Sequence, residues 1–347
     1  MRVALDATYS LGGNLSGVGV YSREILRSLA ALPEAADSAW LWCYRPHRLR
    51  AAFSDFLPER CTRRPLFEWW SPAADLFHGL NQRLPHALRS PAVVTFHDLF
   101  VITGDYSAPE FRRRFEQQAR EAAARAERII TVSRFTAEQV HALLGVDRSR
   151  IHPVPHGVRL PAGLPDDSRR EPVVLSVGAI QLRKNTARLV RAFSAMPRHW
   201  KLVLVGSHGY ASREALEAID ASPRRSDIVL TGWASDTLLA DWYRRASIFA
   251  FPSLDEGFGM PVLEAMAAGV PVITSNCSSL PEVAGEAALL VDPRREEEIA
   301  QALRRLADDE DLRAELIAKG RRRSSEFTWR RAAEETWAVY ERLSRRK

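Results

Sequence analysis

Short apolar runs alternate with longer amphipathic segments along the chain, and this alternation constrains the fold more than any other feature. The short apolar runs are typical of buried strands. In the longer segments between them, apolar residues recur at the spacing of an amphipathic helix. Strand–helix alternation builds a parallel sheet with helices on both faces. In the first half, the predicted strands are Val3–Asp6, Leu41–Tyr44, Leu76–His78, Val93–His97, Arg128–Val132 and Ile151–Val154, and the predicted helices are Tyr21–Ala31, Pro109–Ala126 and Arg134–Leu144.

The alternation is interrupted at residues 160–172, where three prolines, a glycine and five charges are typical of a linker. It then restarts with predicted strands at Val173–Val177, Lys201–Val205, Ile228–Leu230, Ile248–Phe251, Val272–Ile273 and Ala288–Val291. We therefore predict an α/β protein of two doubly wound, Rossmann-like domains, residues 1–159 and 173–326. Ligands of such sheets bind beyond the carboxyl ends of the strands, so we expect the ligand in a cleft that the two domains face.

The last segment, residues 327–347, is predicted to be a separate helix. Trp329, Ala333, Trp337 and Tyr340 recur at helical intervals, so one side of this helix should be buried. We predict that it crosses back to pack toward the first domain.

Charge and cysteine content exclude several classes of protein. The chain has 49 basic and 43 acidic residues, a net charge of +6 that could help to meet phosphates or an anionic membrane but does not require nucleic acid. Three cysteines without CxxC spacing argue against a disulfide framework and a zinc site. No apolar run approaches the roughly 18 residues of a membrane span, and the N-terminal run is too short for a signal peptide. We expect a cytoplasmic protein.

The most informative segment for chemistry is residues 251–271, FPSLDEGFGMPVLEAMAAGVP. A strand is predicted to end at Phe251, and Pro261 suits the first position of a helix that Gly269 would end. Backbone N–H groups at a helix N-terminus can bind an anion. Here they would belong to Gly257, Phe258 and Gly259.

Two carboxylates, Glu256 and Glu264, flank this turn. Either one alone is readily explained as a helix cap or as an ordinary acidic residue near the helix N-terminus. Together they resemble the E-x7-E signature of the family 4 retaining glycosyltransferases, which have two Rossmann-like domains in the GT-B fold. The resemblance covers essentially the whole chain. The other segments that carry it, in order, are Ser16–Tyr21, Val94–Leu99, Thr131–Phe135, Val154–Val158, Ser176–Asn185, Leu230–Trp233 and Phe327–Trp329.

The resemblance implies that Arg183 and Lys184 hold the diphosphate of a nucleotide-sugar, where fixed cations stabilise the leaving group without a metal. A solvated pair at the start of a helix is the alternative. Many family members have an arginine at the position of Ala179, and Arg183 would replace its charge. The Arg-Lys-Asn form is similar to a branch that includes bacterial mannosyltransferases using GDP-mannose.

By the same resemblance, Glu264 accepts hydrogen bonds from the ribose, Glu256 contacts the donor sugar, and His97 lies near its anomeric carbon. Front-side displacement is implied, with the departing phosphate oxygen taking the acceptor's proton, and not the two-carboxylate chemistry of a glycosidase. For His97 a structural role is an equal alternative. His78 and His156 are interpreted as structural or acceptor-loop residues.

Gly17 and Gly19 resemble the glycine loop that brings the first domain's backbone to the donor and acceptor. They do not fit a nicotinamide fingerprint, because the third glycine is missing and the first strand is distant. Gly232 and Trp233 are predicted to lie at the nucleobase, although Trp233 could instead be a core aromatic.

We expect a retaining hexosyltransferase with no cofactor and no metal, since Asp309–Asp311 has the character of a surface turn. Its predicted partners are a nucleotide-sugar, most simply GDP-mannose, and a saccharide or lipid-linked saccharide of a bacterial surface glycan. The segment from Arg45 to Trp70 mixes cations and aromatic residues, so it could contact the inner membrane face or be ordinary surface. The alternatives are a UDP-, ADP- or dTDP-sugar donor, a sugar-nucleotide epimerase, and a non-catalytic nucleotide-sugar-binding subunit.

Overall fold

The computed structural model describes residues 1–159 and 170–344, which form two compact units. The first contains Met1–Thr103, Ala108–Gly157 and the described residues from Phe327 onward. The second contains Gly104–Ser107 and the described residues of Val158–Glu326. Most of the predicted linker at 160–172 lies outside the described residues. Its end was wrong, because Glu171 and Pro172 already belong to a strand.

The first unit is built on a seven-stranded sheet in which every neighbouring pair is parallel, in the order β3-β2-β1-β4-β5-β6-β7. The strands are β1 (Arg2–Asp6), β2 (Ala39–Tyr44), β3 (Cys61–Pro65), β4 (Leu76–Gly79), β5 (Ala92–Phe96), β6 (Arg128–Thr131) and β7 (Ile151–Pro153). The sequence did not predict β3, because this edge strand alternates buried and solvent-facing residues and carries two arginines.

The helices of this unit are α1 (Gly17–Ala30), α2 (Pro46–Ala52), α3 (Phe100–Thr103), α4 (Pro109–Arg125) and α5 (Arg134–Leu144), joined by the C-terminal helix α13 (Trp329–Ser344). Helix α13 packs on α1, and its Trp337 ring lies 5.9 Å from that of Trp40 in β2. The predicted aromatic side of α13 is buried. Its return to the first unit is therefore confirmed.

The second unit has a six-stranded parallel sheet in the order β10-β9-β8-β11-β12-β13. Its strands are β8 (Glu171–Val177), β9 (Lys201–Val205), β10 (Ile228–Gly232), β11 (Ala246–Phe251), β12 (Val272–Ser275) and β13 (Ala288–Val291). Its helices are α6 (Thr186–Phe193), α7 (Arg213–Asp220), α8 (Asp236–Arg245), α9 (Met260–Ala267), α10 (Leu280–Ala284), α11 (Glu296–Asp308) and α12 (Glu310–Ser325).

Both sheets reverse their strand order once, and this reversal positions the functional loops. In the second unit the reversal lies between β8 and β11, and in the first between β1 and β4. The crevice at the carboxyl ends of such a strand pair is where doubly wound sheets bind ligands. Among the described helices, none combines the length and the apolar character needed to cross a bilayer.

Candidate active site

Arg183 and Lys184 lie in a single turn of 3-10 helix, Leu182–Lys184, in the loop that follows β8. The turn ends at Asn185, which has a left-handed backbone (φ 58°) and donates from Nδ2 to the carbonyl oxygens of Pro252 (3.0 Å) and Pro293 (2.6 Å). Asparagine tolerates this conformation better than most residues. Asn185 therefore fixes the two cations relative to the loop after β11, a role that the sequence analysis missed.

Glu256 accepts from both cations. Its Oε1 lies 2.6 Å from Lys184 Nζ, and its Oε2 lies 2.8 Å from Arg183 Nη1. The Lys184 ammonium also lies 4.4 Å from the centre of the Phe251 ring. All three charged side chains are at most 14% exposed. Two cations and the carboxylate of Glu256 are thus brought together in a buried cluster, and cations held in this way can donate charge-assisted hydrogen bonds to an anionic ligand.

The pKa of Glu256 reflects opposing effects. Burial alone would raise it, but the charges of Arg183 and Lys184, and the hydrogen bonds they donate, lower it to about 2. Glu256 is therefore a carboxylate at neutral pH. It has no proton to donate, so it does not act as a general acid.

Two serines, which the sequence did not identify as site residues, fix the turn between β11 and α9 by bonding to its main chain. Ser278 Oγ accepts from the Glu256 amide at 3.2 Å, and Ser279 Oγ donates to the Glu256 carbonyl at 2.8 Å. Gly257 and Phe258 are buried in this turn. Gly259 is the N-cap of α9 with φ 100°, and a Cβ there would lie 2.7 Å from Leu280. The helix starts at Met260, so the predicted Pro261 occupies its second position.

Glu264 lies in α9 and accepts a hydrogen bond from the hydroxyl of buried Tyr243 at 2.9 Å. Burial raises the pKa of Glu264, and the Tyr243 hydrogen bond and the Arg159 charge only partly oppose this. Tyr243 lies in α8, and its contact with Glu264 was not predicted. The helical periodicity around Tyr243 indicates a buried side chain but does not identify which residue the hydroxyl would bond.

Gly232 is the last residue of β10, and Trp233 is the first residue after it. Gly232 has φ 66°, a conformation that glycine adopts without strain. Trp233 is 50% exposed. Its alternative interpretation as a core aromatic is therefore wrong, and its indole is accessible at the carboxyl edge of the second sheet.

His97 is the first residue after β5, not the last residue of the strand as predicted. Its Nε2 lies 2.9 Å from the Leu80 carbonyl oxygen. A carbonyl only accepts, so Nε2 carries the proton. Burial lowers the pKa of His97 to about 4. The ring is therefore neutral at pH 7, and Nδ1 carries the lone pair.

The surroundings of His97 are aromatic and buried. Tyr21 meets it edge-on at 4.7 Å between ring centres, and His156 stacks at 5.6 Å. The Tyr21 hydroxyl lies 3.0 Å from Thr95 Oγ1, which lies 2.8 Å from His78 Nε2. His78 Nδ1 in turn meets the Tyr340 hydroxyl on α13 at 2.5 Å. These contacts give His78 a structural role in the first unit.

Gly17 and Gly19 were predicted to lie in a loop, and that prediction was wrong. They form the first turn of α1, whose N-cap Ser16 accepts from the Gly19 amide at 3.3 Å. A Cβ on Gly19 would lie 3.0 Å from the Tyr9 carbonyl oxygen, so glycine allows close packing there. Gly17 is exposed.

Within residues 1–159 and 170–344, no three His, Cys, Asp or Glu side chains converge in a geometry that could hold a metal ion. Asp309, of the acidic turn before α12, accepts from the Leu312 amide at 2.8 Å and acts as an N-cap.

The two halves of the chain match two protein families. Residues 15–160 match the family described as Glycosyltransferase Family 4, and residues 166–323 match Glycosyl transferases group 1. The O-antigen chain mannosyltransferase B of Escherichia coli is 31% identical over 284 residues, which cover 77% of this chain and 74% of the relative. A D-inositol 3-phosphate glycosyltransferase of Xylanimonas cellulosilytica is 31% identical over 287 residues, covering 74% and 67%.

The fold is shared with solved structures. Sucrose-phosphate synthase from Thermosynechococcus elongatus superposes with a TM-score of 0.79 at 21% identity and full coverage of both chains. The matched families, the identity to relatives over most of the chain, and the two parallel sheets agree with one another. The chain belongs to the family 4 glycosyltransferases and has their GT-B fold.

Proposed function

We propose that this hexosyltransferase moves mannose from GDP-mannose, with retention of configuration, to a saccharide or lipid-linked saccharide in bacterial surface-polysaccharide synthesis. The observation that carries the proposal is the buried cluster of Arg183, Lys184 and Glu256 at the strand-order reversal of the second sheet. The two cations of this cluster are complementary to the diphosphate of a nucleotide-sugar. A cation fixed in a desolvated site stabilises charge that develops on a leaving group.

In the proposed reaction, the bond from the anomeric carbon to the diphosphate oxygen breaks while Arg183 and Lys184 take up the developing charge. On the same face of the sugar, the acceptor oxygen bonds to the anomeric carbon, and the proton of the acceptor hydroxyl passes to the departing diphosphate oxygen. Glu256, which is ionised and paired with both cations, positions these cations and accepts from donor-sugar hydroxyls. These fixed cations replace a metal, so transfer should not depend on magnesium.

The nucleoside would be held by Glu264 and by the segment after β10. Glu264 accepts from ribose hydroxyls as a carboxylate, and Trp233 offers an accessible indole beside the backbone of Gly232. His97, neutral with its lone pair on Nδ1, would accept a hydroxyl of the donor sugar and so orient it.

The mannosyl donor is supported by the name of the Escherichia coli relative, an O-antigen chain mannosyltransferase. Calorimetric titration with GDP, UDP, ADP and dTDP, with and without magnesium, tests the donor by measuring the affinity for each nucleotide. Thermal unfolding in the presence of each nucleotide is a second measure, because a ligand that binds the folded protein raises its apparent stability. We expect tightest binding of GDP, independent of magnesium. Tightest binding of another nucleotide overturns the mannosyl donor, and binding of none overturns the donor site.

Turnover distinguishes this proposal from a non-catalytic nucleotide-sugar-binding subunit. Incubation with GDP-mannose should release GDP, by transfer to an acceptor or slowly to water. Nuclear magnetic resonance of the product's anomeric proton reports whether the configuration is retained. Nucleotide binding with no release across an acceptor panel would favour the non-catalytic subunit.

We further propose that the protein contacts the cytoplasmic face of the inner membrane through the region around α2. Phe53 and Phe56 are 73% and 67% exposed. Arg48 and Arg50 are exposed on α2, and Arg63 lies 5.9 Å from the Phe53 ring centre. Exposed aromatics among arginines favour an anionic bilayer.

Co-sedimentation with phosphatidylglycerol vesicles tests this contact. Binding should exceed that to phosphatidylcholine vesicles and should fall in a variant with Phe53→Ser and Phe56→Ser. Equal binding to the two lipids would overturn the membrane contact and leave the glycosyltransferase assignment intact.

A further inference from the structure

Trp69 is one of the most exposed aromatic side chains of the described residues, yet it is held in a fixed orientation. It is 73% exposed. One face of its indole stacks on Phe67, with ring centres 4.9 Å apart and planes inclined by 18°. Residues 67–70 form a tight turn in which the amides and carbonyls of Phe67 and Trp70 bond to each other at 3.1 and 3.4 Å. The second face of the indole is therefore presented on a rigid base.

The residue before Trp69 is a carboxylate held by two cations. Glu68 forms ion pairs with Arg83 and with buried Arg45, and His86 Nδ1 lies 3.3 Å away. Burial would raise the pKa of Glu68, but the charges and hydrogen bonds of the two arginines lower it. The Glu68 carbonyl accepts from the Ala87 amide at 2.9 Å. Both the main chain and the carboxylate of this turn are thus fixed.

These residues lie together at the carboxyl edge of the first sheet. The turn follows β3, Arg45 follows β2, and Arg83 lies in the loop after β4. Asp6, at the end of β1, lies 3.6 Å from Arg45 Nη2. In doubly wound sheets this edge is the one that binds ligands.

Resting on the proposed function, we propose that Trp69 and Glu68 form an acceptor subsite that binds a pyranose ring. The exposed indole face packs against the axial C–H bonds of the sugar, because an aromatic face is electron-rich and such C–H bonds are weakly positive. Glu68 and Arg83, each about one-third exposed, bond the hydroxyls at the ring's edge. A planar apolar surface beside fixed polar groups is the chemistry that a saccharide requires.

The balance of charge favours a sugar over a lipid surface at Trp69. The two carboxylates, Asp6 and Glu68, balance the two guanidinium groups, Arg45 and Arg83, with which they pair. An anionic bilayer attracts a net positive surface, such as the arginines around Phe53. The two exposed aromatic regions therefore differ in the partner they fit.

The experiment uses the full-length protein and methyl α-pyranosides of mannose, glucose, galactose and N-acetylglucosamine as probes. Saturation-transfer difference nuclear magnetic resonance measures which probe contacts the wild type and with what dissociation constant. Trp69→Ala should weaken that binding at least tenfold, and Trp69→Phe should restore part of it. Phe53→Ala, which removes an equally exposed aromatic ring, should leave it unchanged.

Three results would overturn the subsite. The first is that no pyranoside contacts the wild type, and the second is that Trp69→Ala binds the pyranosides as the wild type does. The third is that Trp69→Ala loses binding to phosphatidylglycerol vesicles and keeps pyranoside binding, which would make Trp69 a membrane residue. Calorimetry with GDP on the same samples separates the subsite from the proposed function. If GDP binds and Trp69→Ala does not change pyranoside binding, only the subsite is rejected. If GDP does not bind, the donor assignment is rejected.

Discussion

Lys184 and Glu256 form a 2.6 Å ion pair across 72 residues of chain. Lys184 follows β8 and Glu256 follows β11, which are neighbours in the sheet although β9 and β10 separate them in sequence. The pair therefore joins the two loops that flank the strand-order reversal. A diphosphate bound there would meet a cation whose position is already fixed, so little side-chain entropy would be lost on binding.

Replacing Lys184 by Met should weaken GDP binding about tenfold to a hundredfold. The reason is that a hydrogen bond to a charged group contributes about 1.5–3 kcal/mol, and about 1.4 kcal/mol corresponds to a tenfold change. Calorimetry measures the change. Lys201→Met, in the same unit at the exposed start of β9, is the matched control and should bind GDP as the wild type does. Equal affinities in the two variants would remove Lys184 from the donor site.

Glu256→Gln should destabilise the second unit by about 3–5 kcal/mol, because it leaves two buried cations without their shared anion. Urea unfolding measures the free energy. The matched control is Glu296→Gln, which breaks the half-exposed pair with Arg191 and should cost less than about 1 kcal/mol. Similar losses in both variants would mean that the Glu256 cluster is screened by water.

The sequence predicted the sheets well and the contacts of the site poorly. Strands such as β9 and helix α5 have the predicted bounds, because their apolar residues are local and periodic. Strand β3 was missed because an edge strand with Arg63 and Arg64 lacks a continuous apolar run.

At the site, the motif around Glu256 identified the functional residues but did not predict which of them contact one another. The pairing with Arg183 and Lys184 depends on β8 and β11 being adjacent, which no local pattern encodes. The hydrogen bond from Tyr243 to Glu264 has the same origin, since it joins helices α8 and α9. Trp69 was grouped with a basic aromatic segment, and only the fold separates it from Phe53.

Tyr243→Phe should move the acid limb of GDP-mannose binding to higher pH. The hydroxyl of Tyr243 lowers the pKa of Glu264, which burial and Asp236 raise and Arg159 lowers. Without the hydroxyl, Glu264 takes up its proton at a higher pH, and a protonated carboxyl accepts ribose hydroxyls less well. Calorimetry with GDP-mannose between pH 4 and 8 measures the shift. Tyr210→Phe, a half-exposed tyrosine of the same unit, should leave the profile unchanged, and a shift of equal size there would contradict the assignment.

Acid should destabilise the first unit through its buried histidines. Burial lowers the pKa of His97 to about 4 and that of His78 to about 3, and it lowers that of His156 well below 6.5. As pH falls below 6.5, the unfolded chain binds these protons first, so the free energy of unfolding drops by about 1.4 kcal/mol per pH unit for each such histidine. Urea unfolding between pH 7.5 and 4.5 measures this slope. His97→Gln should reduce this slope by the contribution of one histidine, about 1.4 kcal/mol per pH unit. His47→Gln, at an exposed position on α2, should leave the slope unchanged. An unchanged slope in His97→Gln would show that this ring is protonated inside the folded protein, and His97 could then not be the neutral acceptor proposed for the donor sugar.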